Sequence, residues 1–212
     1  VFDMSRVLVA DNYPLSRIGM CKIFQTHIPK IEISEASCIG DVMKQLKLKH
    51  FNLLVLALSH PGKSNIDVLR NIKLKHPKTP ILVICIYPEP LYGCRALSAG
   101  ASGYITRETP VNDFLVAVKK LLNGELYMSS TLATNMFSKI NKRSKINSIE
   151  LLSNRELQIL QLTATGKKIR LIASETNLSV STIGTYRHRI FTKLDMKSDA
   201  ELTQFAIDNS LI

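Results

Sequence analysis

Between residues 6 and 125, short β-branched apolar runs alternate with longer stretches of helical period. Val7-Leu8-Val9, Ile31–Ser34, Leu53–Leu58, Ile81–Ile86 and Tyr104-Ile105 are the predicted strands. A strand covered on both faces reads as a continuous apolar run. Five such runs separated by helical segments predict a parallel, doubly wound sheet of the flavodoxin-like α/β class. The clearest helix carries Val111, Phe114, Leu115, Val118, Leu121 and Leu122 on one stripe and is predicted to close one edge of that sheet. Ligands of such sheets gather at the carboxyl ends of the strands, which here are Ala10-Asp11-Asn12, Ala57-Leu58-Ser59, Cys85 and Thr106-Arg107.

Residues 138–150 are basic, polar and poor in large apolar side chains, as a linker is. The pattern therefore divides the chain into an α/β domain over 4–125, a linker helix and basic linker over 126–150, and an all-α domain of four helices over 151–212. In the last segment, Ser153-Asn154-Arg155-Glu156 has the form of a capping box and opens a helix running to about Ala164, closed by Gly166. A short helix with Ile169, Ile172 and Ala173 follows, then a turn at Asn177-Leu178-Ser179, then a helix with Ile183, Ile190 and Leu194 on one side. Helix, tight turn and helix form the frame of a major-groove reader. The opposite side of the second helix carries Ser181, Thr185, His188 and Thr192, with Gly184 and Arg189 at its borders, a composition suited to base edges and phosphates.

Composition sharpens this reading. The 212 residues carry Lys+Arg 28 against Asp+Glu 17, a formal charge of +11. Between residues 139 and 193 eleven basic side chains face three acidic ones. An anionic partner is favoured, and the charge lies where the helix-turn-helix pattern does. Cys21, Cys38, Cys85 and Cys94 fall at no metal-ligand spacing and read as reduced thiols. No apolar run is long enough to span a membrane and no signal-peptide core is present, so a cytoplasmic protein with no membrane partner is expected. Catalytic triads, a Walker loop and paired carboxylates are lacking too. The sequence predicts a non-enzyme without cofactor or bound metal.

The run L-S-N-R-E-L-Q-I-L…G-K-K…I-A…L-S-V-S-T-I-G-T-Y-R-H-R-I-F-T-K-L resembles the LuxR/NarL-type DNA-binding domain over about 60 residues. The first half resembles a receiver, so the whole chain looks like a NarL/FixJ-family response regulator. E-A-S-C at 35–38 and T-Y-R-H-R-I-F place it nearest the GacA/UvrY branch. The resemblance implies double-stranded DNA as partner, with contacts from Lys167, Lys168, Ser181, Thr182, Gly184, Thr185, Tyr186, His188, Arg189 and Lys193. Many family members carry lysine or asparagine at the position of Gly184. Base reading is therefore expected to lean on Thr185 and His188. A homodimer is also implied, with Leu202 and Phe205 of the last helix at its interface, unless both only cover the trihelical core.

Receivers of this family bind Mg²⁺ through an acidic pair after the first strand and accept a phosphoryl group on an aspartate after the third. A hydroxyl after the fourth strand and a lysine after the fifth then read the phosphate. Residue by residue, the resemblance puts Asp11 and Asn12 at the acidic pair, Ala57 at the phosphoacceptor, Cys85 at the hydroxyl and Arg107 at the lysine, with Tyr104 at the aromatic switch position. Ala57 has no oxygen nucleophile, and one carboxylate with a neutral amide is a poor Mg²⁺ site. An introduced substitution explains Ala57 alone. Four departures together favour a pseudo-receiver used for dimerisation or docking.

Other readings remain open at this level. Arg187, His188 and Arg189 also suit a solvated helix face, and Arg187, toward the buried side, suits an ion pair with Glu156 as well as a phosphate contact. Tyr127-Met128-Ser129-Ser130 resembles a cyclic di-GMP motif of some atypical receivers but lacks its arginine. A heterodimer with a related, active response regulator, giving antagonism, is the third class.

Overall fold

The computed structural model describes residues 4–58, 65–134, 148–209 and 211–212. The chain forms two compact units, Val1–Ser59 with Ile66–Ser138 in the first and Lys139–Ile212 with His60–Asn65 in the second. The predicted basic linker falls mostly on residues 135–147, outside the described residues.

The first unit is built on five parallel strands, β1 (Ser5–Ala10), β2 (Ile31–Ala36), β3 (Leu53–Leu58), β4 (Ile81–Cys85) and β5 (Gly103–Thr106), in the order β2-β1-β3-β4-β5. Every strand anticipated from the apolar runs is present. Alternate residues of the strands face two separate cores, because successive side chains of a strand point to opposite sides. Val7, Val9, Leu53, Val55, Leu82 and Ile84 pack with α1 (Pro14–His27) and α5 (Val111–Leu122), through Met20, Phe24, Phe114 and Val118 among others. Leu8, Leu54, Leu56, Ile81 and Val83 pack with α2 (Ile39–Leu48), α3 (Asn65–Lys75) and α4 (Glu89–Ser98), through Val42, Leu69, Ile72 and Ala96. This is the doubly wound class. The register pairs Ala10 with Leu56 and Leu58 with Cys85, so the strands end nearly level and bring the loops after β1, β3, β4 and β5 to one rim.

The second unit opens with a 3₁₀ turn at Ser148–Leu151 and holds four helices: α6 (Asn154–Ala164), α7 (Ile169–Thr176), α8 (Val180–Leu194) and α9 (Asp199–Asp208). The capping box is formed in both directions, with Glu156 N–H donating to Ser153 Oγ and Ser153 N–H donating to Glu156 Oε2. Asn177 at φ 52° makes the turn between α7 and α8, and Ser179 Oγ then accepts from Thr182 N–H to start α8. Leu157, Leu160, Ile172, Ile183, Ile190, Leu202 and Ala206 are buried together at the centre of this unit's sequence pattern.

One expectation needs correcting. Leu202 has 0% exposure, so it has no surface to offer a second copy and belongs to the core; Phe205 is half-buried. The reason lies in the spacing, since Leu202 and Ala206 share one helix stripe and that stripe faces inward. Ile169 lies on α7 as expected, at its exposed rim.

Candidate phosphoacceptor pocket and candidate nucleic-acid interface

At the rim of the sheet Asp11 is buried, held by its own chain. Its Oδ1 accepts from Tyr13 N–H at 2.9 Å, and its carbonyl accepts from Arg17 Nη1 at 2.6 Å. Arg107, carried past β5 by a backbone bond from its N–H to the Cys85 carbonyl, turns its guanidinium back over this carboxylate. Nη2 lies 3.1 Å from Oδ2 and 3.3 Å from Oδ1, while Nη1 donates to Ser16 Oγ at 3.0 Å. The guanidinium also lies over the Tyr13 ring at 5.3 Å, a cation–π arrangement. Asp11 and Arg107, both singled out from the sequence, are therefore brought together. Asn12 is exposed beside them, and Ala57 is partly buried on β3. Ser16, Arg17 and Tyr13 were missed by sequence reasoning, although all three lie on the loop and first turn after the singled-out Asp11.

Cys85 donates its thiol to the Leu58 carbonyl at 3.1 Å, and burial pushes the thiol upward against weaker hydrogen-bonding effects. A buried, protonated thiol is a poor nucleophile and a poor metal ligand. Tyr104 is buried with its hydroxyl on the Tyr87 carbonyl at 2.7 Å; desolvation, with Cys85 adding to it, raises the phenol far above its ordinary range. Among the described residues no group of three or more His, Cys, Asp or Glu is placed to hold a metal ion.

Residues 127–130 serve this unit's edge. Tyr127 N–H donates to the Ser102 carbonyl and pairs alongside Gly103 of β5 in one parallel bridge. Ser129 Oγ donates to Glu89 at 2.6 Å and accepts from Leu132 N–H, capping a helix that covers 130–134.

On α8 the two faces separate as the periodicity requires. Ile183 and Ile190 are fully buried, while Ser181, Gly184, Thr185, His188, Arg189 and Thr192 are all exposed; Thr182 and Tyr186 are half-buried at the flanks. Lys168 is exposed at the start of α7. The remaining cations have partners that the sequence did not reveal. Lys167 Nζ bonds both oxygens of Glu175 at 2.8 Å, and Lys193 Nζ bonds Glu156 at 2.7 Å. Arg187 pairs with Asp199 at 2.5 Å and stacks toward Phe191, so its partner is Asp199 and not Glu156. The wheel placed Arg187 on the right side of α8 but left the start of α9 out of account. Burial raises Glu156, yet the bonds from Lys193 and Ser153 outweigh it and hold the carboxyl below its ordinary value of 4.5.

Residues 7–119 match the response regulator receiver domain and residues 150–206 match the bacterial regulatory proteins of the luxR family. The chain belongs to the response regulators, a receiver followed by a luxR-family domain. It is similar to the response regulator UvrY of Escherichia coli K12, 29% identical over 98% of this chain and 96% of the relative. The response regulator GacA of Pseudomonas aeruginosa is 27% identical over 99% and 98%. Among solved structures, RcsB of Salmonella typhimurium covers 98% of this chain and 99% of its own at 22% identity, with a TM-score of 0.73. A second RcsB structure, bound to promoter P1flhDC, reaches 0.70 at 22% identity over 96% and 98%.

Proposed function

We propose that this response regulator is a sequence-specific, double-stranded-DNA-binding transcriptional regulator that acts without aspartyl phosphorylation. The observation carrying the DNA reading is α8: Ile183 and Ile190 of its apolar side are fully buried and Leu194 is half-buried, while Ser181, Thr185, His188, Arg189 and Thr192 of the opposite side are exposed. Such a helix presents hydroxyls, an imidazole and a guanidinium at major-groove reach, with Lys168 placed for phosphate. The match to the bacterial regulatory proteins of the luxR family and an RcsB structure bound to promoter DNA support this reading. The protein acts in the cytoplasm as a homodimer, the symmetry that a two-half-site operator requires.

The receiver's part follows from Arg107. A Mg²⁺ ion asks for several anionic or carbonyl oxygens in octahedral array. Here the one carboxylate at the rim faces a guanidinium, its neighbour Asn12 is neutral, and Ala57 offers no nucleophile. The donor set does not fit the metal, and no phosphoryl-transfer step is derived through it. Arg107 supplies in permanent form the positive charge that a metal would bring, and the receiver serves dimerisation or docking. The cyclic di-GMP reading gains no support, because the run at 127–130 lacks the arginine and the Ser129 hydroxyl is engaged by Glu89.

Selection from a random duplex pool followed by footprinting tests the DNA reading. Enrichment of a two-fold symmetric site is expected. Recovery of unenriched DNA would overturn it.

A further inference from the structure

Gly184 lies inside α8, and nothing in the chain asks for a glycine there. A Cβ built at that position meets no atom within 4 Å, and its φ lies outside the left-handed region, unlike Gly100 at +102° and Gly166 at +75°. Gly93, by contrast, is crowded by Leu132 at 2.9 Å. A glycine at an unstrained, open helical position weakens the helix without return from within the fold. The remaining physical reason for it is close approach of the backbone to something outside the chain.

The neighbourhood of Gly184 fits that reason. Ser181 and His188 stand one turn before and after it, and Thr185 beside it, all exposed. Two hydroxyls of this stripe are folded onto the helix, Thr185 Oγ1 donating to the Ser181 carbonyl at 3.2 Å and Thr192 Oγ1 to the His188 carbonyl at 2.9 Å, and that of Ser181 is drawn toward Ser179 Oγ at 2.8 Å. The stripe is therefore low in relief, with bare backbone at its middle. Gly19 in α1 is also open, but it follows exposed Leu15 and Ile18 within one turn, a setting without nucleic-acid chemistry.

We propose that Gly184 is the point at which the α8 backbone comes closest to the base edges of the major groove, so that specificity at that step is set by the absence of a side chain. The inference rests on the DNA reading above and adds to it a steric determinant. With the full chain and the duplex it selects from a random pool, Gly184→Ala should weaken binding by about fivefold or more, a base-contact-sized effect. Binding to an unselected duplex at the same salt should change by less than about twofold, since that term comes from phosphate charge. The melting midpoint of the second unit should stay level or rise, as alanine favours helix. Equal or tighter binding of the selected duplex by the variant would overturn the proposal, and so would a smaller loss. A lowered midpoint would overturn it too, by showing that the fold itself needs the glycine. If the wild-type chain selects no sequence, the DNA reading fails and the proposal with it, an outcome visible before the variant is made.

Discussion

Asp11 and Arg107, 96 residues apart in the chain, meet as a closed pair in which one guanidinium nitrogen lies 3.1 and 3.3 Å from the two carboxylate oxygens. The Asp11 side chain has no exposed surface, and that of Arg107 is 25% exposed. Removing the cation leaves a buried carboxylate whose remaining side-chain bond among the described residues is from the Tyr13 N–H. Arg107→Ala should therefore lower receiver stability by about 2–3 kcal/mol, at or just below the range of about 3–5 kcal/mol for breaking a fully buried pair because Arg107 is partly hydrated. Asp11→Ala with Arg107→Ala should cost less than the two single changes added, and denaturant melts of the four proteins measure that coupling. Additive effects would show that the pair does not act as a unit.

The second unit carries its own acid sensitivity. Glu156 is held below 4.5 by Lys193 and Ser153 against the opposing effect of burial. A carboxyl lowered in the folded state binds fewer protons there than when unfolded, so its contribution is full above the unfolded value and is lost as pH falls through the folded one. The unit should lose stability below about pH 4.5. Lys193→Met takes away a hydrogen bond that lowers Glu156 while leaving it buried, so the acid transition should move to higher pH. Circular dichroism against pH reads this directly.

Cations on the DNA side should separate by their partners. Lys168 is exposed, so Lys168→Ala should weaken all sequences alike and flatten the salt dependence by about one unit of slope. His188→Ala should relax preference at one base position, at about 1–3 kcal/mol. Lys193→Ala should show a stability loss as well, because Lys193 bonds Glu156 at 2.7 Å. Binding isotherms at several salt concentrations, alongside melts, distinguish the three.

The last helix gives a sharper contrast. Leu202 is fully buried and Phe205 half-buried. Leu202→Ala should cost about 2–5 kcal/mol through the cavity it leaves. Phe205→Ser, with apolar surface still showing, should disturb association more than folding. Sedimentation of both variants at equal folded fraction is the measurement, and a purely structural effect of Phe205 would remove the last helix from the interface.

Much of this was legible in the residues because it rests on local periodicity. The five strands are continuous apolar runs, the α5 stripe is an i, i+3, i+4 pattern, and Ser153 with Glu156 is a four-residue signal that the fold realises in full. The rim residues Asp11, Cys85 and Arg107 followed from strand ends. What periodicity did not carry is pairing across distance. The Lys193–Glu156 bond spans 37 residues and Arg187–Asp199 spans two helices, and a helical wheel gives a direction without a partner. Leu202 shows the related ambiguity, since an apolar stripe reads alike whether it meets the core or a second copy.

The pocket itself is best tested by trying to repair it. Wild-type protein with acetyl phosphate and Mg²⁺ should gain no adduct of about 80 Da, the mass of one phosphoryl group, because Ala57 has no oxygen nucleophile. Ala57→Asp supplies the nucleophile and nothing else. Asp11 would still be held by Arg107, Asn12 would still be neutral, and the Cys85 thiol would still donate to the Leu58 carbonyl. That variant should label slowly or not at all, with DNA affinity nearly constant. Adding Asn12→Asp and Arg107→Lys addresses the metal site and replaces the planar fork with a compact ammonium, which frees carboxylate oxygen for the cation. The triple variant should label faster than the single one, as intact mass spectrometry over time would show. Rapid labelling of Ala57→Asp alone, with DNA affinity rising about tenfold, would mean a coupling of about 1.4 kcal/mol in a pocket that Arg107 does not close.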